Sequence, residues 1–377
     1  MKIFDVIIIG GGITGFSTAY YLSKIGIKKV GIIEKNYPGS GSTGRCGTGI
    51  RQQFTTREHI VLMRESVKLW QEWESNLPLP IHFRQGGYLW LLRDNEEKTR
   101  YEEYVRHQNM LGVPSKIITK EEIKEIVPQI DTEKVVGASW CATDGNAYPQ
   151  EVINSLKLSV ENFGFEVIIG EEVISMKIQN NLVTEIVTNK GTYSAGFVVN
   201  GAGNGSKKIA QMVNINLPVE NFRHQIVVSE PLETFLSPMV VNGELYFTQT
   251  YRGRIIGGTD TDDLPNESLG ATVKFLEKFS NEIISTMPVL SSIKLMRQWA
   301  GFYVVSPDHH PILGPTEIRN FVLGCGYSGH GFMLGPIVGK LLASYIINNS
   351  FFLEEANRLT LERFKLGKLI QEGAVIG

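Results

Sequence analysis

The chain has 377 residues, of which 42% are hydrophobic and 20% charged, with a formal net charge of −2. Near-neutral charge, without a basic stripe of interleaved aromatics, gives no support to a nucleic-acid partner. Cys46, Cys141 and Cys325 lie far apart and form no C-x-x-C pair, so neither a zinc nor an iron–sulfur site is indicated; the odd count fits a reducing compartment.

The length favours two domains over one. Residues 6–9 are apolar but run straight into a glycine turn with no cleavage-site pattern, so they read as a strand rather than a targeting signal. No uninterrupted run of about 18 apolar residues occurs. Residues 335–353 come nearest, and Lys340, Asn348 and Asn349 interrupt them. A cytoplasmic protein without a membrane span is expected.

Residues 5–10 (DVIIIG) read as a buried parallel strand. The following GGGITG supplies G-x-G-x-x-G at Gly10, Gly12 and Gly15, residues 16–25 have helical apolar spacing, and residues 30–33 form a second apolar run. Glu34 stands 24 positions after Gly10. Gly10 allows the tight turn, Gly12 lets backbone approach a pyrophosphate, and Gly15 lets helix and strand pack closely. The helix N-terminus offers free N–H groups and a partial positive charge to phosphates. Glu34 sits where a carboxylate accepts both ribose hydroxyls, and it would repel a 2′-phosphate. The motif therefore points to NAD or FAD rather than NADP.

Residues 38–54 (PGSGSTGRCGTGIRQQF) form a Gly/Ser/Thr-rich loop that turns basic; its N–H groups, Ser42, Thr43, Arg45 and Arg51 suit a phosphate or a flavin edge. A helix over 58–76 is stopped by Pro78 and Pro80. Residues 81–93 read as a strand pair turning at Gly86–Gly87, with helices over 96–111 and 120–127. Residues 140–149 read as a plain connection without chemistry. A helix over 150–163 leads to a strand at 165–169 and a hairpin (172–177, 182–188) around Asn180–Asn181. Residues 197–200 run into GAGNGS at 201–206, a second strand–glycine turn–helix. Strands at 223–230, 245–249, 254–258 and 294–305, with a helix over 274–287, suggest a different, antiparallel sheet. PDHHPILG (307–314) is a turn, and GCGYSGHGF (324–332) opens a last helix over 334–347.

With these motifs in order, nearly the whole chain resembles the D-amino-acid oxidase-like FAD oxidoreductases. The resemblance is carried by GGGITG with Glu34, GSTGRCGTGIR, VVNGAG at 198–203, YVVSPDHHPILG and GYSGHGF. It implies an α/β fold in which a Rossmann-like FAD-binding domain (1–80, 146–215 and 303–377) is interleaved with an α+β, antiparallel-sheet substrate domain (81–145 and 216–302). It also implies that Gly10, Gly12, Ile13, Thr14, Gly15, Glu34 and Lys35 hold the ADP half of FAD. Val173 would contact adenine through its backbone, and Gly201 and Ala202 would lie near the diphosphate. Ser42, Thr43, Arg45, Cys46 and Gly47 would line the pyrophosphate and flavin, and Gly301, Gly326, Ser328, Gly329, His330, Gly331 and Phe332 would meet the flavin ring and ribityl chain.

Within the family the chain is most similar to the β subunits of dye-linked L-proline dehydrogenase and heteromeric sarcosine oxidase. That branch implies oxidation of an amino or imino acid, such as L-proline to pyrroline-5-carboxylate, by transfer of the Cα hydride to flavin N5. Electrons would pass to an acceptor other than oxygen; the alternatives are an oxygen-using sarcosine- or glycine-type oxidase and a non-catalytic FAD-holding subunit. Arg51 is the candidate carboxylate anchor, and Tyr251 and His330 are candidates for handling the amine, with Tyr246 an equal claimant to the place of Tyr251. Gly301 falls where monomeric sarcosine oxidase has its flavin-bonding cysteine, and the GSTGRCG loop lacks the histidine to which dimethylglycine dehydrogenase-like enzymes attach theirs, so noncovalent FAD is expected. Met333, Ile255 and Phe302 stand where oxidases of the family carry a lysine, a lysine and an arginine, which points to a dehydrogenase. The branch further implies partner subunits of a heteromeric dehydrogenase, or else a homo-oligomer, with FMN at a subunit interface in some of its members.

Overall fold

The computed structural model describes residues 1–259, 265 and 268–374; the remaining positions, including the expected domain end at 377, lie outside the described residues. Two sheets organise the molecule. The first runs Ile312–Gly314, Phe321–Cys325, Thr192–Asn200, Lys2–Ile9 (β1), Val30–Glu34 (β2) and Glu166–Ile169. Val6–Ile9 of β1 pairs in parallel with residues 30–33 on one side and 197–200 on the other. All five residues of β2 are buried, as expected of a strand covered on both faces. The hairpin Val173–Gln179/Leu182–Thr188 turns at Asn180 and Asn181, both with positive φ (52° and 57°), the backbone that Asn tolerates and a tight hairpin requires.

The second sheet runs Leu295–Val305, Glu220–Pro231, Arg254–Gly258, Leu245–Gln249, Met239–Asn242, Tyr88–Leu92, Gly137–Cys141 and Lys116–Ile118. It is antiparallel except where Met239–Asn242 lies parallel to Tyr88–Leu92. Residues 81–93 do not form the expected strand pair. Only Tyr88–Leu92 is a strand, because Arg84 bridges to Asn146 and the Gly87 N–H donates to the Asp144 carbonyl, so the glycine turn is used to meet residues 144–146.

Helix Ile13–Lys24 (α1) is buried almost all round, as a core helix is. The helix Gly331–Asn348 packs against it and begins earlier than its apolar spacing suggests. A Cβ at Gly335 would lie 2.2 Å from Ile13 Cγ1, and one at Gly339 would lie 2.4 Å from Ser17 Cβ. The two helices therefore touch at their backbones. Helix Arg57–Asn76 (α2) clasps the other side: Ser66 Oγ and Trp70 Nε1 both donate to the Met333 carbonyl (2.7 and 3.0 Å). Among the described residues only Gly331–Asn348 is long and apolar enough to cross a membrane, but 67% of it is buried in this core.

The seam generates a stability test. Gly339→Leu inserts a side chain where Ser17 already stands, and overpacking of this kind costs about 1–3 kcal/mol. Urea unfolding should show a lowered midpoint, whereas substitution at exposed Lys340 on the same helix should leave it unchanged.

Candidate active site

The first glycine turn is fixed by contact. Gly10 has φ +110°, and a Cβ there would lie 2.4 Å from the Gly201 carbonyl oxygen, so the two glycine turns lean on each other. A Cβ at Gly15 would lie 2.0 Å from the Gly10 carbonyl oxygen, which accounts for the third glycine as a packing residue. Gly12, the N-cap of α1, has no side chain to cap it, and the Ile13 N–H donates to Thr43 Oγ1 (3.1 Å). Buried Glu34, at the end of β2, accepts from the N–H groups of Gly11 and Asn36 (both 2.8 Å), which hold its carboxylate beside the turn.

From this acid a cavity of about 360 Å³ runs toward the second sheet. Gly10, Gly12, Ile13, Thr14, Glu34 and Lys35 line its first part, with Val173, Gly201 and Ala202 beside them. Ser42, Thr43, Arg45 and Cys46 follow, and Gly301, Gly329, Gly331 and Phe332 close the far end. The helix over Gly331–Asn348 also starts without a side-chain cap, at His330. A carboxylate at one end, two helix N-termini and glycine walls fit the parts of FAD in order. Gly326 and Ser328 do not line the cavity; with φ +68° and +48° they bend the turn that does.

The loop over 38–54 is not free. Ser42 Oγ donates to the Phe302 carbonyl (2.7 Å), Arg45 donates to the carbonyls of Ser40 and Ala300 (3.1 Å each), and Trp299 Nε1 donates to the Arg45 carbonyl (3.1 Å). Ser42 and Arg45 thus fasten the loop to the strand Leu295–Val305 at the cavity wall. Burial pushes the Cys46 thiol up to about 12, so it is protonated at neutral pH.

A second, smaller chamber of about 50 Å³ adjoins the far end and shares Cys46, Tyr303, Gly329 and Phe332 with the first. Gly47, Arg51, Tyr88, Met239, Tyr246, His330 and Met333 also line it. Arg51 is 1% exposed. Its guanidinium lies 3.7 Å from the Phe54 ring centroid and donates to the carbonyls of Gln53 and Ala374 and to Nε2 of His330 (3.3 Å). Burial lowers its pKa; Glu372 and Asp144 oppose this from outside ion-pair distance. A guanidinium stays protonated even so, and a buried cation held only by neutral acceptors is completed by an incoming carboxylate.

His330 is neutral: burial first, and then the Arg51 guanidinium, hold its pKa well below the imidazole range. Arg51 can only donate, so Nε2 of His330 accepts and the ring proton sits on Nδ1. Tyr251 lines neither chamber. It is 38% exposed on a turn, stacked on His82 and bonded to Glu151 and Arg252. Tyr246 faces the chamber in its place, with its hydroxyl 2.9 Å from Nε2 of His224. The strand Leu245–Gln249 is buried throughout, whereas residue 251 follows it into the solvent turn.

Sequence reading missed Asp144. Its buried carboxylate accepts from the Gln52 backbone and side chain (2.8 and 3.0 Å) and from Gln53 Nε2 (3.1 Å), so the connection over 140–149 sets the strand-like stretch that carries Arg51. Burial raises Asp144 to about 6. Arg51→Met should weaken binding of a small carboxylate such as propionate by at least about 2 kcal/mol, roughly thirtyfold. Titration calorimetry checks this, and Tyr251→Phe should leave the affinity unchanged.

Comparison with known proteins agrees with this geometry. The model of the FAD dependent oxidoreductase family (DAO) matches residues 5–345. The chain is 29% identical to "Sarcosine oxidase subunit beta" of Rhodobacter capsulatus, over 100% of this chain and 92% of that protein. The solved structure of L-proline dehydrogenase from P. horikoshii superposes with a TM-score of 0.94 at 37% identity, covering 98% of this chain and 99% of that one. Glycine oxidase from Geobacillus kaustophilus shares the fold, with a TM-score of 0.88 at 21% identity over 96% of this chain and 99% of that one. The chain belongs to the DAO family of FAD-dependent oxidoreductases and acts in the class that oxidises amines and amino acids.

Proposed function

We propose that the substrate is a small secondary amino acid, L-proline first, oxidised to its cyclic imine with electrons passed to an acceptor other than oxygen. The observation that carries this reading is Arg51, a buried cation without a directly bonded carboxylate, at the wall of a chamber of about 50 Å³. Arg51 takes the substrate carboxylate. Tyr88, Met239, Tyr246 and Phe332 enclose the carbon skeleton, and the small volume rejects long side chains. FAD, when bound, would supply the two-electron acceptor, and forming pyrroline-5-carboxylate takes the hydride from Cδ of proline rather than from the expected Cα, because the C=N bond of that product joins N to Cδ. The similarity to L-proline dehydrogenase over nearly the full length supports proline. Ile255 and Met333, where oxidases of the family carry lysines, are both buried apolar residues, and Met333 forms part of the chamber wall.

Sarcosine is the second reading, favoured by the curated sarcosine oxidase β subunits at 28–29% identity. That relatives are named as subunits supports a heteromeric assembly. FAD is held noncovalently: Cys46, the thiol on the cavity wall, is kept protonated by burial, and Gly301 offers no nucleophile.

Anaerobic L-proline should bleach the flavin band of the purified chain promptly, sarcosine more slowly, and aerobic turnover should yield no stoichiometric peroxide. Acid precipitation should release all the yellow colour as FAD. A flavin that stays oxidised with proline but bleaches with sarcosine overturns the proline assignment, and colour retained in the pellet overturns noncovalent binding.

A further inference from the structure

Substrate has to reach the small chamber. Among the described residues, every side chain that lines it without also lining the cofactor cavity is buried. Its wide approach is the cofactor cavity itself, which FAD fills when bound. The loop over 38–54, which forms part of its wall, is fastened to the strand Leu295–Val305 by Ser42 and Arg45.

Behind Arg51 the surface opens into a cleft of about 820 Å³ between the helices Asn95–Met110 and Val273–Thr286. Two of its lining residues, Trp90 and Ala374, are buried in one apolar cluster with Tyr88, Met239 and Tyr246 of the chamber. Arg51 meets both of them. Its guanidinium lies 5.2 Å from the Trp90 ring centroid, and its Nη2 donates to the Ala374 carbonyl. A single layer of side chains that includes Arg51 therefore separates the cleft from the chamber.

The cleft also carries two polar atoms without hydrogen-bond partners among the described residues, both buried: the donor Nε1 of Trp90 and the acceptor Oε2 of Glu282. The other oxygen of Glu282 lies 3.7 Å from Lys278, which also pairs with Glu244, and Arg93 pairs with Glu97. An N–H without an acceptor and a carboxylate oxygen without a donor cost free energy until both are met. A zwitterionic amino acid carries the two matching groups in one small molecule.

We propose that this cleft is a vestibule that takes up the zwitterionic amino acid and passes it to Arg51 past Ala374. The proposal rests on the reading of Arg51 as the carboxylate anchor. Trp90 Nε1 offers the carboxylate a donor at the inner wall, and Glu282 offers the ammonium an acceptor on the Val273–Thr286 side. The carboxylate then replaces the Ala374 carbonyl on Arg51. The exchange is favourable because a charged acceptor makes bonds about twice as strong as a neutral one. Opening breaks two further bonds, from the Gly373 N–H to Thr55 Oγ1 (2.9 Å) and from the Ala374 N–H to Glu372 (3.0 Å). Glu372 itself stays anchored by Thr55, Thr56 and His59, so the movement is confined to the residues beyond it.

Asn281 lines the cleft, is exposed and takes no part in these steps, so Asn281→Cys can carry a polyethylene-glycol maleimide across the mouth. In the FAD-bound protein, stopped-flow association of propionate, read from the flavin band, should slow by about tenfold after labelling. Dissociation should slow by the same factor, because a route serves both directions and leaves the equilibrium alone. The second-order rate of anaerobic reduction by L-proline should fall with it. Labelled Lys340→Cys, and wild-type protein given the same reagent, should keep the unlabelled rates. Glu282→Gln should slow reduction at low L-proline by about threefold, the scale of a partly exposed charge contact, and spare propionate, which has no ammonium. Unchanged rates in labelled Asn281→Cys, or lowered affinity at an unchanged association rate, overturn the route. Equal slowing of both ligands by Glu282→Gln overturns recognition of the zwitterion. Wild-type flavin that propionate perturbs but no amino acid reduces overturns the functional reading alone, and the propionate rates still decide the route; flavin that neither ligand perturbs overturns both.

Discussion

Two helices in backbone contact determine where everything else stands. Because Gly335 and Gly339 admit no side chain, the helix over Gly331–Asn348 lies directly on α1. The N-terminal ends of both helices consequently open on the same cavity. One approaches from the dinucleotide turn at Gly12, the other from the turn ending at His330. Neither end is capped by its own side chain, and the positive ends of both therefore face the place where a doubly charged pyrophosphate and an electron-rich ring must lie. The trade is local: each glycine weakens its helix by roughly 1 kcal/mol relative to alanine, and the close packing it permits offsets that.

The substrate side depends on a different constraint, the enclosure of a charge. Arg51 is removed from water and surrounded by carbonyls, an aromatic face and one imidazole. Its position comes from four separate parts of the chain. Asp144 fixes Gln52 and Gln53, Phe54 supports the guanidinium face, His330 accepts from it, and Ala374 closes it off. An arginine so constrained cannot follow a poorly fitting ligand, which makes the chamber discriminate by size as well as by charge.

The dinucleotide end was legible because its signals are local. Strand, glycine turn, helix and acid follow one another within residues 2–34, and each is dictated by backbone sterics or helix electrostatics. Arg51 and His330 were legible only because the motifs around them resemble a known family. Tyr251 against Tyr246 was not decidable from the chain, since one turn residue separates a buried strand from solvent and periodicity does not say where a strand stops. Asp144, His59 and Glu372 carry no local signal at all. Their partners lie 92, 313 and 317 residues away in sequence or were hidden inside an apolar helix pattern, where a lone histidine reads as core. The strand pair expected over 81–93 failed for a related reason: Gly86–Gly87 looks like a hairpin, but residues from 144–146 compete for its hydrogen bonds.

The distance along the chain between Arg51 and the Ala374 carbonyl is 323 residues. On a ribosome, which delivers domains from the N-terminus onward, the cofactor cavity gains its closing residues 329–332 before residue 374 emerges. The guanidinium waits longest: one of its neutral acceptors is made after every residue that lines either chamber. A chain clipped shortly after residue 348 keeps both helices of the cofactor cavity and loses an acceptor of Arg51, so colour alone is a poor measure of a finished site.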